Sequence, residues 1–92
     1  MILQAYSIKD DKVGFYAPTY EQNDKLAIRV FQSIYKDKNS TISSYPADFS
    51  LFAVGSFDTD TGVLTSQTPK FLVSASSFDF IDQHKAGDDN VV

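Results

Sequence analysis

The chain has 92 residues, enough for one domain. Hydrophobic residues make up 42% and aromatics 14%, too apolar for a disordered chain, and there is no cysteine, which excludes disulfides, thiolate catalysis and cysteine-held metals. A net charge of −4 weighs against binding nucleic acid through overall charge, so any such contact needs a local cationic patch.

Eight Phe and five Tyr in so short a chain must be buried in a core or against another copy. Self-association, as a dimer, is therefore expected. The N-terminal residues lack a basic segment followed by a long apolar run, so no secretory leader is expected. No apolar stretch approaches the roughly 18–20 residues that a membrane-spanning helix needs.

From Met1 to Ile8, apolar and polar residues mix in a β-compatible way. Asp10-Asp11-Lys12 interrupts and Val13-Gly14-Phe15-Tyr16-Ala17 resumes, which predicts a hairpin with a polar turn. Pro18 ends the pairing, because it cannot donate to a ladder. Asn23 is suited to cap a helix and Asp24 to its positive end; Thr19 with Gln22 offers an earlier capping box. At about 100° per residue, Leu26, Ala27, Val30, Phe31, Ile34 and Tyr35 sweep one arc, which predicts an amphipathic helix to about Lys36.

Residues 37–48 are polar, rich in Ser and contain Pro46, and read as a loop. Phe49 to Phe57 is apolar enough for a central strand covered on both faces. Asp58-Thr59-Asp60-Thr61-Gly62 is a turn, Val63-Leu64-Thr65 a return strand, and Lys70 to Ala75 a further short strand after Pro69. Phe78, Phe80 and Ile81 suit docking of the following segment. The expected organisation is a single α+β domain over residues 1–83 and a flexible acidic tail over residues 84–92. Its sheet is largely antiparallel, with four to five strands and one amphipathic helix packed on one face. Phe31, in the helix's apolar arc, and Phe52, in the most apolar strand, are expected in the core.

The opposite helical arc holds Lys25, Arg29 and Lys36. Three cations on one stripe suit contact with successive phosphates; a solvated helix face has the same composition. Tyr20, with Tyr16 and Tyr45, lies near Pro18 or Pro46, where an exposed ring can stack on an unpaired base or simply cap the core with its hydroxyl in water. Asp58, Asp60 and Gly62 resemble the start of a calcium loop but lack a distal bidentate Glu and flanking helices, so turn chemistry is the better reading. His84 is the sole histidine, with no nucleophile–base partner nearby in sequence. The pairs Asp10–Asp11 and Asp88–Asp89 sit at adjacent positions that point apart. No catalytic residue, cofactor or metal is expected, and an enzyme is the least favoured class.

Asn23-Asp24-Lys25-Leu26-Ala27-Ile28-Arg29-Val30-Phe31 resembles a helix motif of the nonstructural early protein of gokushovirus-type microviruses, small phages with circular single-stranded DNA genomes. Ala47-Asp48-Phe49-Ser50-Leu51-Phe52 followed by Gly55-Ser56-Phe57-Asp58-Thr59-Asp60-Thr61-Gly62 is similar as well, as are the opening Met1 to Asp10 and Phe15-Tyr16-Ala17-Pro18. The resemblance reaches to about Ser76. It implies a non-enzymatic protein made in the host bacterial cytoplasm and absent from the virion. It further implies support of single-stranded genome synthesis or packaging, with single-stranded DNA and viral or host replication or packaging proteins as candidate partners and no membrane. The alternative is a protein-interaction module that modulates viral or host replication factors without touching DNA.

Overall fold

The computed structural model describes residues 1–79. It contains, in order, β1 (Ile2–Asp10), β2 (Gly14–Phe15), β3 (Thr19–Glu21), α1 (Asp24–Lys36), α2 (Thr41–Ser44), a 3-10 turn (Pro46–Asp48), β4 (Phe49–Asp58) and β5 (Leu64–Ser74). The five strands form one antiparallel sheet in the order β2-β1-β4-β5, with β3 also paired to β1. This is the α+β fold expected, and β4 sits inside the sheet between β1 and β5. Residues 80–92, which include the 83/84 boundary, the tail, His84, Asp88 and Asp89, lie outside the described residues.

The helix forms where its cap and its period agree. Asn23 is extended, and its Oδ1 accepts the Leu26 amide at 2.9 Å, satisfying one of the orphan donors of the first turn. Asp24 stands at the positive end and Lys36 at the negative end. Ala27, Phe31 and Tyr35 turn inward, and β4 supplies Phe49, Leu51 and Ala53 from alternate positions. Tyr6 from β1 and Phe78 complete the centre, with the Phe78 ring 5.7 Å from Phe31 and 5.5 Å from Tyr35. Phe78 thus docks as expected, on a helical turn at residues 76–79.

Four expectations need correction. The stretch 37–48 is not a plain loop. Ser40 caps α2 by accepting the Ser43 amide at 3.0 Å, its hydroxyl donates to the Ile34 carbonyl at 2.8 Å, and Ile42 is buried beneath. The strand after the first turn is short, because only Gly14 and Phe15 pair in β2, and Pro18 interrupts rather than ends the pairing. Beyond it β3 resumes along the same edge of β1, with Tyr20 opposite Ala5. The two strands expected at 63–65 and 70–75 are one strand, β5, running through Pro69. Pro69 is tolerated because β5 is an edge and the register shifts there, from Ala53↔Lys70 to Gly55↔Ser66.

The fourth correction concerns Phe52. In β4, Phe49, Leu51 and Ala53 face the helix and are buried; Phe52 has the opposite parity and is only partly buried. It lies on the other face of the sheet, edge-on to Phe15 at 5.2 Å and to Phe71 at 5.7 Å.

Candidate nucleic-acid interface

On α1 the side chains of Lys25, Arg29 and Lys36 are exposed and share one stripe on the side away from Ala27, Phe31 and Tyr35. Lys25 and Arg29 are one turn apart, and Lys36 lies about 16 Å from Lys25 along the axis, at ~1.5 Å per residue. Among the described residues the one ion pair joins the N-terminal ammonium of Met1 to Asp60 Oδ2 at 2.8 Å. Within that set, therefore, Lys25, Arg29 and Lys36 have no carboxylate within ion-pair distance, including Glu21, Asp24 and Asp37 nearby in sequence. Lys25 also borders a shallow polar depression with Gln4, Gln22, Asn23 and Asp24.

Asp24 is occupied elsewhere. The Tyr6 hydroxyl donates to its Oδ1 at 2.7 Å, tying the start of α1 to β1. Burial, first, and then this bond and the charges of Asp24 and Glu21 raise the Tyr6 phenol above its ordinary range. Tyr6 is thereby a neutral donor fixing the first turn that carries Lys25. Because the folded-state pKa exceeds the unfolded one, the contribution is complete below about pH 10 and is lost progressively as pH rises beyond it. Tyr6→Phe should therefore cost roughly 1–3 kcal/mol at neutral pH. The gap between the two proteins should narrow above about pH 10, as read by urea unfolding across pH. A gap that does not change with pH would show that the hydroxyl contributes no linked stability.

Tyr20 does not join the stripe. Paired with Ala5 in β3, it puts its ring 5.6 Å from Phe57, and it is 38% exposed. Tyr16 packs against Phe49 at 6.4 Å, with its hydroxyl 3.5 Å from Asp10 Oδ2, while Tyr45 is exposed beside Pro46. The structure thus brings together Lys25, Arg29 and Lys36 and separates Tyr20 from them.

The Asp58–Gly62 segment is a hairpin turn. Asp58 Oδ1 accepts the Asp60 amide at 2.8 Å, its carbonyl accepts the Gly62 amide at 2.7 Å, and Gly62 adopts φ +77°, a conformation that favours glycine. The Asp60 amide, first, and then the Thr61 amide, the N-terminal charge and the Thr61 hydroxyl hold the Asp58 carboxyl below its ordinary value. No group of three or more His, Asp or Glu converges among the described residues. Asp10, one of the paired acids, is buried, and its Oδ1 accepts the Lys12 amide at 2.9 Å in the first turn. Between α1 and the β1–β3 edge runs an apolar groove of about 160 Å³, bordered by Tyr6, Ala27, Val30 and Ile34, with Glu21 and Thr19 at its rim. No helix among the described residues is long and apolar enough to cross a membrane.

Against known proteins, the family model described as Phage ORF5 protein matches residues 3–78. No curated protein and no solved structure matches the chain.

Proposed function

This chain belongs to the Phage ORF5 protein family, and we propose that it is a non-enzymatic phage protein that contacts single-stranded DNA through the outer stripe of α1. In this reading it is the nonstructural early protein of a gokushovirus-type microvirus and acts in the host cytoplasm. There it supports genome synthesis or packaging. The observation that carries the reading is the set of three exposed cations on one helical stripe with no carboxylate partner among the described residues. Asp10, Asp37 and Asp58 accept backbone amides in turns, and Asp24 accepts the Tyr6 hydroxyl.

A lone stripe on an acidic protein neutralises few phosphates, so binding is weak and salt-sensitive. About three contacts give a log–log salt slope near −2 on a single strand, at roughly −0.7 per contact. A titration with single-stranded oligonucleotide at low salt should show that slope. Lys25→Glu with Arg29→Glu should abolish binding while leaving the fold intact, because both side chains point to solvent. No binding, or binding indifferent to the double reversal, favours the protein-interaction module instead. That second reading draws on the aromatic face of the sheet that no described residue covers, which is suited to protein contact.

A further inference from the structure

The principal helix covers one face of the sheet, and nothing among the described residues covers the other. Across that face Phe15, Phe52 and Phe71 form a row spanning β2, β4 and β5, with successive rings 5.2 and 5.7 Å apart. Tyr20 and Phe57 form a second contact, beside Ala5 and Leu3 of β1. Phe15 is 48% exposed and Phe71 57%. Five aromatic rings lie on one side of so small a domain, Phe15, Tyr20 and Phe71 exposed and Phe52 and Phe57 half-buried among the described residues, an apolar surface of a kind that soluble monomers rarely present.

We propose that this face is where a second copy of the chain docks, sheet against sheet. Charge selects that occupant. Among the described residues, Lys9 is the one charged side chain whose strand position points to this face, and it already lies over the Phe15 ring, 5.6 Å from its centre. A single cation neutralises a single phosphate, so the face is poorly suited to nucleic acid. A charge-poor aromatic face meets its own copy without like-charge repulsion, and a two-fold axis brings the same patch from both sides.

Area agrees. Three long strands as long as the ten-residue β4, with the five residues of β2 and β3 beside β1, cover roughly 550 Å², at ~4.8 Å per strand and ~3.3 Å per residue. Two such faces bury roughly 1,100 Å², above the roughly 1,000 Å² that a specific interface needs. Edge-to-edge pairing through β5 is disfavoured, because Pro69, Lys70 and the register shift interrupt that edge. Face-to-face packing leaves both α1 stripes outward, so the dimer presents two cationic stripes on opposite sides.

The test is sedimentation equilibrium of the full chain and of Phe15→Lys and Phe71→Lys, with Val30→Lys, on the exposed flank of α1, as control. All three positions are half exposed, so the folds should survive, as circular dichroism will report. The expected result is a micromolar dimer whose dissociation constant rises by at least about 10-fold in either Phe variant and not in the control. A monomeric wild-type chain overturns the proposal. A dimer unchanged in both Phe variants, or weakened by Val30→Lys instead, places the interface elsewhere. A dimer that single-stranded oligonucleotide dissociates makes the aromatic row a base-stacking platform.

Discussion

Phe31→Ala should lower folding stability by about 3–5 kcal/mol, the range for truncating a fully buried Phe. Phe31 is 1% exposed and sits where the helix meets the sheet, against Phe78 and beneath Tyr6 and Leu51. Removing its ring leaves a cavity where α1 packs on the sheet. Phe52→Ala should cost roughly half as much or less, because Phe52 is only partly buried and lies on the outer face, edge-to-face with Phe15 and Phe71. Urea unfolding at matched protein concentration separates the two. Equal losses would mean that both faces are packed within one chain, and an unchanged midpoint for Phe31→Ala would refute the packing of α1 on the sheet.

Gly55→Ala should be the most damaging of the conservative changes, although it adds one methyl group. A Cβ at Gly55 would collide with the Thr65 carbonyl oxygen and lie 3.2 Å from its carbon and 3.3 Å from the Ser66 Cα. These are backbone atoms of the paired strand, so no side-chain rotation relieves the clash. Either β5 peels away near Leu64–Ser66 or β4 bends. The cost should be at least about 1–3 kcal/mol, the range of overpacked sites. Faster amide exchange in β4 and β5 near this point, beside unchanged exchange in α1, is the expected signature. A variant as stable as the parent would show that the two strands are further apart at Gly55 than described.

The helix was legible because three signals coincide in one short stretch: a capping Asn23, an acid at Asp24, and apolar residues returning every three or four positions to Tyr35. The same period placed Lys25, Arg29 and Lys36 together on the far side, so the geometry of that stripe was accessible from spacing alone. The single-turn α2 was not, because its one inward residue, Ile42, sets no period and its Ser neighbours read equally well as loop. Phe52 was misplaced because Phe49 to Val54 is apolar at nearly every step. Alternation then carries no information, and a strand with an aromatic residue on the face away from α1 looks like a strand covered on both sides. Tyr20 was drawn toward the cationic stripe by nearness in sequence. Its pairing with Ala5, beyond the interruption at Pro18, turns it onto the opposite face. Shifts of register between Ala5 and Tyr6 and along β5 likewise follow from packing that no local pattern encodes.

The two proposed contacts fall on two surfaces, nucleic acid on the stripe of α1 and a second copy on the aromatic face of the sheet. The most direct measurement is a map of amide chemical shifts as a short single-stranded oligonucleotide is added at low salt to the isotopically labelled chain. The expected result is movement at Lys25, Arg29 and Lys36 and their neighbours, with Phe15, Phe52 and Phe71 unmoved. Movement centred on the three Phe residues, or none anywhere, would contradict it.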